Sequence, residues 1–184
     1  GGAKNLAPLL PLLAETKFNV CLLTIEERRE IYFKYLDCID DLRIRKYMSV
    51  ENIVQFFDDV DPVAILTGTT RYPSMDRELI YQANQADVRS VVVLDEWYAY
   101  RERFVDPDTG ELKFLPDAIC VPDQNAWDEA VYSGLPGEKC CITGSVALAD
   151  LTEKASEYLN VAPQIPQEIS SRKGKRVVTF LSET

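Results

Sequence analysis

The sequence predicts an α/β domain built on a parallel sheet with helices on both faces. Two patterns carry this expectation. Short, β-branched-rich apolar runs recur between turn residues, and most are continuously apolar rather than alternating, as strands covered on both faces require. Between them lie stretches with helical spacing and helix-start signals, and such alternation implies right-handed βαβ units, a Rossmann-like arrangement. A length of 184 residues suits one domain, or one and a piece of another, with enough chain to bury a core.

The elements follow in order. The chain opens GGAKNLAPLLPLLAE, with a helix expected from near Asn5 and no strand before it. FNVCLLT (Phe18–Thr24) reads as the first strand. Thr24-Ile25-Glu26-Glu27 is a capping box, in which Thr24 and Glu27 satisfy each other's free backbone donors and open a helix toward Leu36. Ser49 can cap a helix whose Val50, Ile53, Phe56 and Phe57 form one apolar stripe. VAILTG (Val63–Gly68) is the next strand, followed by a helix from Ser74 through Leu79, Ile80 and Ala83.

SVVVLD (Ser90–Asp95) is the third strong strand. Tyr98 to Pro116 breaks the alternation and reads as an excursion at the strand ends, its Asp106–Gly110 stretch a tight turn. AICVP (Ala118–Pro122) is a weaker strand. Asp123 can cap the helix through Ala126, Ala130 and Val131 that Gly134 stops. KCCITG (Lys139–Gly144) is a strand, and a last helix runs from about Val146 to Leu159. RVVTFL (Arg176–Leu181) is a second weak strand. The expected organisation is a Rossmann-like domain over 1–160, a Pro-, Ser- and Lys-containing linker over 161–175, and over 176–184 the start of a second domain or a returning strand. A Gly-rich turn entering a helix normally follows a strand, so the expectation is a segment of a longer protein.

Composition excludes several chemistries. The formal charge of −10 argues against a broad electrostatic grip on nucleic acid or an anionic membrane. With no histidine, the chain can build no Ser-His-Asp triad, no Cys-His pair and no His-ligated zinc site. The five cysteines Cys21, Cys38, Cys120, Cys140 and Cys141 include no CxxC, and four sit in apolar runs, which reads as buried free thiols in a reducing, cytoplasmic setting. No apolar run approaches the roughly 18 residues of a membrane span. Neither GxGxxG nor GxxxxGK[ST] occurs, so the standard dinucleotide fingerprint and the P-loop are absent.

Candidate chemistry follows from topology, because ligands of open parallel sheets bind beyond the carboxyl ends of the strands. After the second strong strand come Gly68, Thr69, Thr70 and Arg71, whose hydroxyls and guanidinium suit a phosphate or a sugar hydroxyl. After the third come Asp95, Glu96 and Trp97, then Tyr98, Tyr100, Arg101 and Arg103, a set able to position a sugar or supply general acid/base chemistry. Adjacent carboxylates in extended chain face opposite ways, so at most one is expected to point into a cleft. Gly144 and Ser145 open the last helix, where free backbone N–H groups can hold an anion.

These segments, in this order, resemble a known superfamily. GGAKNLAPLLPLLAE resembles the first loop and helix of the two-Rossmann-domain (GT-B) sugar-nucleotide enzymes. DPVAILTGTT (Asp61–Thr70) is similar to a segment of the non-hydrolysing UDP-N-acetylglucosamine 2-epimerases, and PDAICVPDQNAWDEAVYSGLPGEKCCITGSVALAD (Pro116–Asp150) follows that superfamily's pattern across nearly its whole length. KRVVTFLSET resembles the linker and first strand of the second domain. Where the epimerases carry a histidine-glutamate segment this chain reads Leu94-Asp95-Glu96-Trp97, the Gly-Asp of their "GDTT" segment is reduced to Gly68-Thr69, and their "GNP" reads Gly144-Ser145-Val146.

The resemblance therefore implies the acceptor-side, amino-terminal domain of a GT-B-like glycosyltransferase. Such an enzyme moves a sugar from a nucleoside-diphosphate sugar to a carbohydrate or other hydroxyl acceptor, with a second Rossmann-like domain holding most of the nucleotide. A UDP-sugar epimerase or hydrolase and a non-catalytic binding module are the alternatives. In this reading Asp95 or Glu96 is the base, and Thr69, Thr70, Arg71, Trp97, Arg101, Gly144 and Ser145 contact substrate. No cofactor and no metal cage is implied.

Overall fold

The fold was analysed in a computed structural model, which describes residues 2–45, 50–70 and 74–159. Ser49, Arg71, the 161–175 linker and the RVVTFL run lie outside the described residues. The chain divides into two compact units, Gly1–Asp150 and Leu151–Thr184. Of the second, only the last turns of one helix are described.

The first unit opens with α1 (Gly2–Leu6), a 3-10 turn at Ala7–Leu9, and α2 (Leu10–Ala14). The expected single helix is broken because Pro8 and Pro11 lack the N–H that a continuous helix needs at those turns. β1 (Cys21–Ile25) follows, then a 3-10 segment over Glu26–Cys38 in place of the expected α-helix. β2 (Asp41–Arg45) was not anticipated: DLRIR alternates charged and apolar residues and lacks the continuous apolar run used to find the others. α3 (Val50–Val60), β3 (Ala64–Thr67), α4 (Met75–Gln85) and β4 (Arg89–Val93) then alternate as expected. β5 (Ala118–Val121), α5 (Gln124–Tyr132), β6 (Cys140–Ile142) and α6 (Val146–Leu159) complete the order.

Among the described residues all strand pairs are parallel, and they form two sheets. β1 pairs with β2, Leu23 opposite Arg43, and β3, β4, β5 and β6 form a second sheet in that order. Ile65 lies opposite Ser90 and Val92 opposite Ile119. The main core sits around β4 and β5, where Ile80, Val92, Phe104, Ile119, Val121, Ala126 and Ala130 are wholly buried. Phe104 and Tyr100 belong to this core, with Leu112 and Leu115 against it, so the 98–116 excursion packs into the domain as well as crossing its surface. Buried Arg77 of α4 ties it down by donating to the carbonyls of Glu102 and Val105 at 2.6 and 3.2 Å.

Two further clusters show how β1 and β3 are covered. Leu23 of β1 and Ile65 of β3 pack with Ile53 and Phe57 of α3 and Leu79 and Ala83 of α4. Leu22 faces the other way, into a cluster with Ala3, Ala7, Leu10, Tyr32 and Tyr35. α1 also lies against β3 and β4. Thus β1 and β3 lie between the same two helical layers. The cysteines are all free, but only Cys140 is buried, and Cys141 is exposed on the edge strand β6. Burial, with Asp41 beside it, pushes the Cys21 thiol up to about 11, which leaves it unreactive at neutral pH. Among the described residues there is no group of side chains able to hold a metal ion and no helix long and apolar enough to cross a membrane.

Candidate functional site at the strand ends

The carboxyl ends of β3 and β4 converge on one side chain, Arg103, which is 2% exposed. Its five N–H donors meet five acceptors. Nη1 donates to the Thr69 carbonyl at 3.0 Å and to Asp95 Oδ1 at 3.3 Å. Nη2 donates to Glu96 Oε2 at 2.8 Å and to the Tyr98 carbonyl at 3.4 Å, and Nε donates to the Ala99 carbonyl at 3.1 Å. A buried guanidinium is tolerated only when its donors are satisfied in this way. The arrangement locks the end of β3 to the end of β4.

The two carboxylates reach the same guanidinium, contrary to the expectation that they diverge. β4 ends at Val93, so residues 95 and 96 lie beyond the extended backbone on which that expectation rests. They differ in access. The Asp95 side chain is 8% exposed, while that of Glu96 is 43% exposed. Asp95 is therefore placed to hold Arg103, while Glu96 holds it and stays open to solvent.

Trp97 and Tyr98 follow, 45% and 51% exposed. The Trp97 indole Nε1 donates to Asp123 Oδ2 at 2.7 Å, which ties the ring to the end of β5, and Asp123 Oδ1 accepts from the Ala126 N–H at 2.8 Å as the helix cap. These two bonds, the Ala126 amide first, hold the Asp123 carboxyl below its ordinary range. The Arg103 guanidinium lies over the Tyr98 ring at 5.9 Å. Ala99 adopts φ +53°, a left-handed conformation that costs a residue with a Cβ of the order of 1 kcal/mol or more, and its carbonyl is thereby aimed at Arg103.

The other candidates are placed less centrally. Thr69 is buried and enters through its carbonyl, and Thr70 Oγ1 donates to Ser74 Oγ at 3.3 Å at the mouth of α4. Arg101 turns away: its Nη2 donates to the Gly110 carbonyl at 2.8 Å, and its stem lies beside Gly134, past the far end of α5. At Gly144–Ser145 two of the first-turn amides are already taken, since Asn5 Oδ1 accepts from the Ala147 N–H at 3.1 Å and Ser145 Oγ from the Leu148 N–H at 3.4 Å. Asn5 was not among the sequence candidates, and Arg103 was named at the strand end without this central role. The signal for Arg103 was a basic residue seven and eight positions after two carboxylates. Two cavities of about 350 and 390 Å³ lie elsewhere, one lined by Thr16, Phe18 and Asp40, the other by Phe57, Pro62 and Val88. At the strand ends Glu96, Trp97 and Tyr98 stand exposed.

No protein-family model matches the chain, and no curated protein matches it. Among solved structures, it is similar to the crystal structure of UDP-GlcNAc 2-epimerase from Neisseria meningitidis bound to UDP-GlcNAc, with a TM-score of 0.61 and 14% identity. The match covers 92% of this chain and 48% of that one, so the chain spans about half of that protein's length. At this identity the likeness is one of fold: parallel sheets flanked by helices, as in a Rossmann-like half of a GT-B-like enzyme.

Proposed function

We propose that the chain is the acceptor-side domain of an enzyme acting on a nucleoside-diphosphate sugar, moving the sugar to an acceptor hydroxyl. The observation that carries this reading is the platform beyond β3, β4 and β5. There an accessible carboxylate (Glu96) stands beside two exposed aromatic rings (Trp97 and Tyr98), with buried Arg103 bracing Glu96 and Tyr98 and Asp123 holding Trp97. Aromatic faces beside a few fixed polar groups suit a sugar ring. Glu96 is the base that takes the acceptor proton as the oxygen attacks the sugar carbon and the nucleoside diphosphate leaves. Asp95 and Arg103 position it. The leaving phosphate is held largely by a second Rossmann-like domain.

Epimerisation or hydrolysis of the same donor is the second reading, favoured by the fold likeness to a UDP-GlcNAc 2-epimerase. Incubation of the protein with UDP-GlcNAc, alone and with a panel of sugar acceptors, separates the two. Sugar found on an acceptor supports transfer, whereas an epimer or free UDP formed without acceptor supports the second reading. Glu96→Gln should abolish either activity while Arg101→Lys preserves it. Full turnover by Glu96→Gln would remove the assignment of the base.

A further inference from the structure

We infer that Cys120 and Cys141 form a redox-active dithiol, a modification site that exchanges with small-molecule disulfides and closes into a bridge between β5 and β6. The pairing register sets the two residues side by side, Cys120 opposite Cys141 on neighbouring parallel strands. Such strands lie about 4.8 Å apart, inside the window of about 4.4–6.8 Å that the Cα atoms of a disulfide usually span. The two side chains also share a face. Ile119 and Val121, on either side of Cys120, are buried in the main core, and Cys140, opposite Ile119, joins them there. Alternation along each strand then sends Cys120 and Cys141 to the other face. There Cys141 is exposed and Cys120 half-buried, both as free thiols.

Exposure decides which thiol reacts first. Cys141 is the sulfur that a reagent in solvent reaches. Its thiolate attacks one sulfur of a small disulfide such as oxidised glutathione, forming a mixed disulfide and releasing one glutathione, which takes up the proton Cys141 lost. The Cys120 thiolate then attacks the Cys141 sulfur. The bond between the two protein sulfurs forms, and the second glutathione leaves with the proton from Cys120. Two protein thiols are oxidised and one small disulfide is reduced to two thiols. The surroundings of Cys120 fit the second step. Burial pushes its thiol up, a hydrogen bond from the Thr143 hydroxyl draws it down, and charge on Cys141 pushes it up again. The two sulfurs are thus close enough to feel each other, with a hydroxyl placed to support the Cys120 thiolate. The other thiols are excluded by position. Cys140 adjoins Cys141 in sequence but points into the core, away from it. Cys21 lies on β1 of the other sheet, and Cys38 packs in the cluster of Ala7 and Tyr35.

The test is to treat the reduced protein with oxidised glutathione, quench with acid and an alkylating agent, and map every cysteine by peptide mass spectrometry. The expected product is a Cys120–Cys141 bridge within one chain, formed equally in Cys140→Ala and reopened by dithiothreitol. In Cys120→Ser the exchange stops at its first step. Glutathione should then accumulate on Cys141 roughly tenfold or more above the level in the unsubstituted protein, where a neighbouring thiol at an effective concentration of millimolar order resolves it. Cys141→Ser should leave Cys120 unmodified. The unsubstituted chain is decisive whether or not the variants fold. Absence of the bridge there would overturn the inference, with Cys141 either bare or still carrying glutathione. A bridge that uses Cys140, or one that links two chains, would overturn it as well.

Discussion

Arg103 is the residue on which the strand-end geometry depends, because its acceptors come from both β3 and β4 and it is shielded from water. Arg103→Met leaves Asp95 buried without its cation, and removal of one partner of such a pair costs about 3–5 kcal/mol. Arg103→Lys keeps the charge but not the planar fork, so it should also lose stability, by less. Urea denaturation of both variants checks this, and a stable Arg103→Met protein would show that the pair is dispensable. The same geometry separates the carboxylates. Asp95→Asn should lower stability together with activity, while Glu96→Gln, at a half-exposed position, should lower activity with little change in unfolding midpoint.

Asp123 supplies the pH dependence. Its folded carboxyl titrates below the ordinary value because the charged form accepts from Ala126 and Trp97. A depressed carboxyl contributes stability that is present above the unfolded pKa and is lost as pH falls through the folded one. Trp97 fluorescence should therefore stay constant from neutral pH down to about pH 4, near the unfolded Asp value, and change only at more acid pH. A change centred at or above that value would contradict the Trp97–Asp123 bond. This much could be anticipated in part: Asp123 was recognisable as a cap, and Asp95, Glu96 and Trp97 as strand-end residues. That Trp97 would choose the Asp123 carboxylate, or that Arg103 rather than Arg101 would turn inward, depends on the path of the 98–116 excursion. No periodicity encodes that path.

At the scale of elements, strands written as continuous apolar runs were legible, and α6 begins and ends where its apolar spacing and Gly144-Ser145 start indicate. β2 was not, since DLRIR alternates charged and apolar residues and takes its place by pairing with β1 residue for residue. After β1, tertiary context sets the helix type: a 3-10 segment brings Tyr32 and Tyr35 onto Ala7 and Leu10. The stop of α5 was read correctly from Gly134, which has φ +99° with the Arg101 stem at 3.5 Å from its would-be Cβ. Gly134→Ala should cost about 1–3 kcal/mol, the price of holding a Cβ in the left-handed region. Chemical denaturation measures it, and a neutral substitution would mean that the turn relaxes.

For the whole molecule, the covered parallel strands β4 and β5 carry the main core, and Glu96, Trp97 and Tyr98 stand exposed beyond the end of β4. The fold class follows from strand–helix alternation alone. The division of the strands between two sheets does not, because it depends on which edges find partners. Isotope-edited NMR of the chain titrated with UDP-GlcNAc, with free GlcNAc as a second ligand, tests the central claim most directly. The account predicts shifts of the Glu96 and Trp97 amides, the Trp97 indole N–H and the Thr69–Thr70 backbone with both ligands, diminished in Glu96→Gln. Shifts confined to other surfaces, or none at millimolar ligand, would contradict it.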